Sequence, residues 1–217
     1  YTQFDLINVD FRSDNDFAFN INNKLKVENL TINSNILIDS SQYKTNDLIS
    51  NSLLEINDLI YLKDHKIKAL YSNKKLSIKG KGKVKLIDKF ELINYELTKK
   101  GSDFDLVSNI ELSEINIKNN NLIKEYLPNT KDTLNLKDHK IKIKYKDSIL
   151  SLEGSGKIKL EKEFNKIRYA FLKKNKKYNF DTDLEVNDAL LKIDFINYEK
   201  DKKLNSQLKI IGSYTKK

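Results

Sequence analysis

The sequence predicts an all-β protein: an elongated, twisted antiparallel β-sheet trough built from tandem repeats, with a short helix or loop per repeat. An internal repeat is the first observation behind this prediction. Residues 62–68 return unchanged as residues 136–142, an offset of 136 minus 62, or 74. The second observation is that apolar and polar residues alternate at the period of two that is typical of β-strands.

The register of the repeat divides the 217-residue chain into four segments. We expect residues 1–45 to be the tail of a preceding β-repeat. Residues 46–119 and 120–193 form two full β-repeat units. Residues 194–217 begin further β-strands and are truncated. Because the chain opens on Tyr1 rather than on methionine, we expect the natural polypeptide to begin upstream.

The first strand motif of a repeat places apolar side chains on one face and lysines on the other. The apolar positions are Leu76, Ile78, Val84 and Leu86, with Gly80 and Gly82 between them. The lysines are Lys79, Lys81, Lys83 and Lys85. Glycine inside a strand indicates a bulge or the close approach of another group. A phosphate loop at residues 154–157 is disfavoured, because Ile158 stands where such a loop needs Ser or Thr.

The next two strand motifs alternate in the same way and are joined by polar residues. They contain Ile93, Tyr95 and Leu97, then Phe104, Leu106, Ser108, Ile110 and Leu112. The polar residues 99–102 between them predict a hairpin and hence an antiparallel sheet. The second repeat carries the same pattern to residue 186, and the spacing of Leu191, Ile193 and Phe195 predicts one further strand.

One segment departs from the period of two. Leu122, Ile123, Tyr126 and Leu127 have helical spacing, and Pro128 ends the run. We therefore predict a helix of one to two turns there. The counterpart in the first repeat, residues 48–54, has the same spacing without the proline.

Composition and the candidate polar clusters favour a protein without catalysis or cofactors. Cysteine is absent, which excludes thiol nucleophiles and Cys-ligated metals. His65 and His139 occupy the same repeat position, so duplication explains them better than a metal site does. Asp181 and Asp183 share a strand face, but residues 107 and 109 do not repeat the pair. We expect no enzyme activity, no metal and no cofactor.

The formal charge of +9 raises the question of anionic partners. The row from Lys79 to Lys85 could follow phosphates of nucleic acid or lipid headgroups. In the second repeat Glu153, Ser155 and Glu161 dilute the row. We therefore interpret it as a solvated or edge-protecting face, and no nucleic acid is expected.

Each predicted strand has one apolar face, and few helices are available to cover it. Such a sheet must pack on another sheet, close into a barrel, or curl over something apolar that is not protein. A continuous row of apolar strand faces would shield acyl chains, at about 0.8 kcal/mol per buried methylene. Linkers rich in Pro, Gly or Ser are missing between the repeats, which favours continuous stacking of strands over separate domains.

Several blocks of the sequence resemble the repeats of AsmA-like proteins, particularly the YhdP-type and TamB-like members of AT-rich alphaproteobacteria. The blocks are residues 121–128 (NLIKEYLP), 136–145 (LKDHKIKIKY), 152–158 (LEGSGKI), 183–186, 191–195 and 208–212. This resemblance, over most of residues 46–214, implies an envelope protein of the bridge-type lipid-transfer class. It implies a periplasmic β-groove that conducts phospholipids and an inner-membrane anchor outside the present sequence.

The sequence therefore predicts a noncatalytic segment whose apolar groove binds and conducts phospholipid acyl chains between membranes. The residues expected to line this groove are Leu76, Ile78, Val84, Leu86, Ile93, Tyr95, Leu97, Phe104, Leu106, Ile110, Leu112, Leu150, Leu152, Ile158, Leu160, Ile167, Tyr169, Phe171, Tyr178, Phe180, Leu184 and Val186. Two alternatives remain open. One is a structural or adhesive β-repeat protein whose apolar faces pack on each other; the other is a polyanion-binding basic β-surface.

Overall fold

The computed structural model describes residues 6–44, 59–87, 89–119 and 121–215. It confirms an all-β protein with a single helix of more than one turn in the described part of the chain. In chain order the strands are β1 (Leu6–Ile21), β2 (Val27–Lys44), β3 (Leu59–Ser72), β4 (Lys75–Lys85), β5 (Phe90–Lys100), β6 (Asp103–Lys118), β7 (Thr133–Lys146), β8 (Ile149–Lys159), β9 (Phe164–Lys174), β10 (Lys177–Glu185), β11 (Leu191–Ile193), β12 (Tyr198–Lys200) and β13 (Gln207–Thr215). Helix α1 (Asn121–Tyr126) precedes β7.

Eleven strands hydrogen-bond in the order β1-β2-β3-β4-β5-β6-β7-β8-β9-β10-β13, and β11 pairs with β12 in a separate ribbon. The registers observed for neighbouring strands are antiparallel. Contacts divide the chain into two compact units. The first unit is Tyr1–Ile110 with Ile143–Ile149, and the second unit is Glu111–Lys142 with Leu150–Lys217.

The repeat offset of 74 is visible in the strand boundaries themselves. Adding 74 to the bounds of β3, β4 and β5 gives the bounds of β7, β8 and β9. The tight turn after β3 has two residues with positive φ, Asn73 and Lys74, and the turn after β7 has two more, Asp147 and Ser148. Two successive left-handed residues are typical of the hairpin turn whose twist matches that of the strands. Both repeats therefore build the same hairpin.

The glycines of the first strand motif mark a close approach, and the bulge lies on the neighbouring strand. β4 pairs with β5 without interruption through Gly80 and Gly82. The register between β3 and β4 instead shifts between Lys63 and Lys66. Asp64, inside that shift, has a φ of 55°, and Asp138 at the equivalent position of β7 has the same φ. An extra residue in a left-handed conformation is how a strand accommodates a bulge.

The predicted helix is confirmed, and its predicted counterpart at residues 48–54 lies outside the described residues. The predicted strand through Phe195 is wrong beyond Ile193. β11 ends there, and a short 3-10 turn, Asp194–Ile196, follows. Phe195 is 83% exposed. Alternation alone could not detect this end, because Asn197 closes the turn in a left-handed conformation that depends on its backbone hydrogen bond to Asp194.

The second unit has a closed hydrophobic core, which helix α1 and the segment after β10 help to build. The core residues are Leu127, Leu134, Ile158, Leu160, Leu184, Val186, Ala189 and Leu191. Leu134, Val186 and Ala189 have no exposed surface. Two buried donors near this core are paired: the side-chain amide of Asn119 donates to Thr130 Oγ1 at 2.8 Å, and the ammonium of Lys200 donates to the carbonyl of Ala189 at 2.9 Å.

Candidate functional site

The first unit presents an apolar face that runs across its neighbouring strands. Cross-strand pairing aligns Ile36 with Ile67, Ile67 with Gly80, and Gly80 with Tyr95. A second row aligns Ala69 with Ile78 and Ile78 with Leu97. We define the apolar face by the residues of these rows and their same-side neighbours. They are Ile32, Ile36, Ile38, Leu62, Ile67, Ala69, Tyr71, Leu76, Ile78, Val84, Ile93, Tyr95, Leu97, Phe104, Leu106 and Ile110.

The described elements of the first unit are all strands of one sheet, so that unit supplies no described helix or second sheet to cover this face. Strands β1 to β5 make their main contacts with the strands beside them. Ile36, Ile67 and Tyr95 are accordingly only half-buried. Phe11 and Phe17 on β1 pair with Ile38 and Ile32 of the face, and their rings are 56% and 63% exposed. A continuous apolar surface that remains partly exposed is typical of an interaction site.

The side chains of a buried histidine, His65, and a half-buried tyrosine, Tyr95, lie over the glycines of β4. Adding a Cβ to Gly82 would bring it to 2.4 Å from the His65 ring, and one on Gly80 would lie 2.2 Å from the Tyr95 ring. The His65 Nε2 lies 3.0 Å from the carbonyl of Lys83. Because a carbonyl only accepts, this nitrogen carries the proton and donates. Nδ1, 3.2 Å from the hydroxyl of Tyr95, then accepts from it.

The second repeat reproduces this arrangement. His139 lies over Gly156, Tyr169 lies over Gly154, and the His139–Tyr169 and His139–Lys157 distances are again 3.2 and 3.0 Å. Burial lowers the pKa of both histidines below the ordinary imidazole value and raises the pKa of Tyr169 to about 12. Both imidazoles are therefore neutral structural groups with both nitrogens hydrogen-bonded.

Two serine hydroxyls are buried without a hydrogen bond among the described residues. They belong to Ser41, which pairs with Leu62 across β2 and β3, and to Ser108, which lies among the apolar residues of β6. Ser41 is 2% exposed and Ser108 is 6% exposed. A buried hydroxyl with no partner carries a desolvation cost that a ligand oxygen could relieve.

The predicted groove residues divide into two groups. In the first unit those on β4, β5 and β6 lie together on the apolar face, and Leu86 lies just beyond the end of β4. In the second unit Leu112, Ile158, Leu160, Leu184 and Val186 are buried, and the last four belong to the hydrophobic core. Ile167 packs against that core. These positions contact protein rather than an open face.

The other predicted residues of the second repeat are less covered. Phe180 lies over Gly212 and is 38% exposed, and the Tyr178 ring stacks on Tyr214 with centroids 4.6 Å apart. Leu150, Leu152, Tyr169 and Phe171 are half-buried. The apolar surface of this repeat is therefore covered by protein near the end of β10 and partly exposed to solvent along the rest of that strand.

Sequence reasoning missed the contribution of β2 and β3 to the apolar face. The missing residues include Ile36, Ile38 and Ile67, whose alternation with polar neighbours was the available signal. It also missed a groove on the opposite, polar face. The groove has a volume of about 710 Å³. The residues that line it with polar-face side chains are Asn35, Leu37, Lys66, Lys68, Lys79, Lys81, Asn94, Glu96, Val107 and Asn109.

Ion pairs on the polar face are exposed and local. Lys83 donates to Asp64 at 2.9 Å, Lys79 pairs with Glu96 at 3.1 Å, and the hydrogen bond from Lys83 lowers the pKa of Asp64. Exposed ion pairs contribute about 0–1 kcal/mol each to the free energy of unfolding. Their main effect is therefore on the pairing register of the strands rather than on stability.

Within the described ranges, no group of His, Asp and Glu residues has the arrangement of a metal site. No described helix has the length and apolar character needed to cross a membrane. Comparison with protein-family models, with curated proteins and with solved structures found no match to this chain.

Proposed function

We propose that this chain is a noncatalytic, lipid-binding segment whose apolar face holds the acyl chains of phospholipids. One observation carries the proposal: the described elements of the first unit are all strands of one sheet, so no described helix or second sheet of that unit covers its half-buried apolar face. A sheet of this kind reaches low free energy only when something apolar lies against that face. Acyl chains fit, because they need an extended apolar surface and no directional contacts.

The polar atoms near this face suit the same ligand. The buried hydroxyl of Ser108 has no partner among the described residues and could donate to an ester carbonyl. The resemblance to AsmA-like repeats supports the wider proposal that the chain conducts phospholipids between envelope membranes. In that role it lies in the periplasm, and regions outside this sequence anchor it in the inner membrane.

The proposal is tested by two neighbouring substitutions on β6 that add the same charge to opposite faces. Leu106→Asp places a carboxylate on the apolar face, whereas Val107→Asp places one on the polar face. Both side chains are half-buried in the native sheet, so the two variants face similar folding costs. The measurement is binding of a fluorescent fatty acid to each purified variant, with circular dichroism as the check of β-structure.

We expect Leu106→Asp to lower fatty-acid affinity at least tenfold, because the charge must lose its water when an acyl chain covers it. Val107→Asp should bind within about twofold of the wild type. Equal binding by the two variants would contradict the proposal. Unfolding of Leu106→Asp alone would instead favour the structural alternative, in which the same face packs against protein.

A further inference from the structure

The polar face of the first unit carries a groove that crosses five strands, from β2 to β6. Two rows of side chains border it. In one row Asn35 pairs with Lys68, and Lys68 pairs with Lys79. In the other, Lys66 pairs with Lys81. At about 4.8 Å per strand the groove extends roughly 19 Å across the sheet.

The charge in this groove is strongly positive. Its lining includes four lysines and one glutamate, which gives a formal charge of +3. Glu96 pairs with Lys79. Lys66, Lys68 and Lys81 are exposed and form no ion pair within the part of the chain that the structure describes. Three cations are therefore available to a ligand.

The pairing of these lysines is unfavourable for the protein alone. Lys66 stands directly across from Lys81, and Lys68 stands directly across from Lys79. Like charges at directly opposed positions of an antiparallel pair destabilise it. The backbone positions of the four lysines thus form a rectangle of about 5 by 7 Å, set by the distance between strands and between alternate residues. A bound anion would remove this repulsion.

Duplication does not explain the groove, because the second repeat has lost its charge. The positions 74 residues further on contain three cations and four anions, a formal charge of −1. They are Lys140, Lys142, Arg168, Glu111, Glu153, Asp181 and Asp183. There Arg168 donates to Asp183 at 2.8 Å. The same fold thus carries a positively charged groove in one repeat and a surface without net positive charge in the other.

We propose that this groove binds a linear chain of phosphate groups. Each phosphate within such a chain offers acceptor oxygens and carries a negative charge, so successive phosphates can accept charge-assisted hydrogen bonds from the clustered lysines. The length of the groove favours an extended ligand over a single phosphate. Tyr95 is the single aromatic residue of the lining, and its ring lies over Gly80 on the apolar face. The groove therefore lacks the stacking surface that single-stranded nucleic acid uses.

The test is binding of inorganic polyphosphate to the wild type and to two matched double variants. Lys68→Gln with Lys81→Gln removes two of the cations that lack an acidic partner. Lys140→Gln with Lys142→Gln removes the same number of charges from the second repeat. We expect the first variant to lose affinity at least tenfold and the second to stay within twofold. A Lys68→Arg, Lys81→Arg variant should retain binding, which separates charge from folding.

Ionic strength and competing ligands complete the experiment. Raising salt from 50 to 200 mM should weaken polyphosphate binding roughly ten- to a hundredfold. Orthophosphate should bind far more weakly than the polymer. Equal losses in the two glutamine variants would show general charge attraction and overturn the proposal. Tighter binding of single-stranded DNA than of polyphosphate would also overturn it. Leu106→Asp should keep polyphosphate binding, so this result is independent of the lipid proposal.

Discussion

The absence of a side chain at Gly82 permits a set of contacts that joins the three strands β3, β4 and β5. The absent Cβ leaves room for the His65 ring, which reaches the Lys83 carbonyl and the Tyr95 hydroxyl from above the strand. Ring atoms cover the exposed glycine backbone in return. His139 makes the same contact with Gly156, and in both repeats a residue with positive φ precedes the histidine. This recurrence indicates that the bulge, the glycine and the histidine form one structural unit.

We predict that Gly82→Ala destabilises the protein by about 1–3 kcal/mol, because the added methyl group forces the His65 ring to move. Chemical denaturation measures the change. The Gly82→Ala, His65→Ala double variant is the control, since removing the ring removes the clash. The double variant should lose less than the sum of the two single changes. Strict additivity would contradict the contact.

The two buried histidines predict a pH dependence of stability. Burial lowers their pKa in the folded state below the unfolded value of about 6.5. The unfolded chain then binds more protons, so the free energy of unfolding is constant above pH 6.5 and falls as pH drops towards the folded pKa. Carboxylates with a lowered pKa, such as Asp64, also make the free energy of unfolding depend on pH, but they do so at more acidic pH than the histidines.

Thermal unfolding at pH 7.5 and pH 5.5 measures this dependence. The wild type should be less stable at pH 5.5. His65→Gln keeps a donor for the Lys83 carbonyl and an acceptor for Tyr95 without titrating, and it should lose about half of the pH effect. Adding His139→Gln should remove most of the remainder. An unchanged pH effect in the double variant would refute the assignment to these histidines.

At the scale of elements, the two repeats bury equivalent strand positions in different surroundings. Strands β4 and β8 have equivalent bounds and the same glycines. Ile158 near the end of β8 belongs to the hydrophobic core of the second unit, against which Ile123 of α1 packs. Its counterpart Val84 in β4 is also buried, at 4% exposure, but lies outside that core. Local pattern is the same in both, so the difference in surroundings arises from which segments fold over the sheet.

Burial of the individual side chain, rather than its repeat, predicts unequal costs for the same substitution. Leu134→Ala removes a fully buried side chain from the core of the second unit and should cost about 2–5 kcal/mol. Leu70→Ala changes a side chain that is 45% exposed on β3 and should cost well under 1 kcal/mol. Urea denaturation monitored by circular dichroism compares them. A small loss for Leu134→Ala would contradict a packed core in this unit.

The sequence predicted the elements whose signals are local. Alternation located β4, β5 and β6, the polar residues 99–102 indicated their hairpin, and Pro128 marked the end of α1. It did not predict the contact between His65 and Gly82, because that contact depends on a register shift between two strands. It also did not predict that Val186 is buried in a core, because alternation identifies an apolar face without showing what covers it.

At the scale of the molecule, an 11-stranded antiparallel sheet carries an apolar face and a polar face with different chemistry. In the first unit no described helix or second sheet of that unit covers the apolar face, while the polar face holds the +3 groove. Acyl chains and a phosphate chain would bind to opposite sides of the same strands. Leu106 and Val107, adjacent in β6, separate the two surfaces experimentally.

Native mass spectrometry of the purified chain tests the central claim most directly. The account predicts phospholipid bound to the wild type and to Val107→Asp, released on collisional activation, and absent from a folded Leu106→Asp variant. A wild-type protein that carries no lipid and takes up none from phospholipid vesicles would contradict the account. So would a Leu106→Asp variant that retains as much lipid as the wild type.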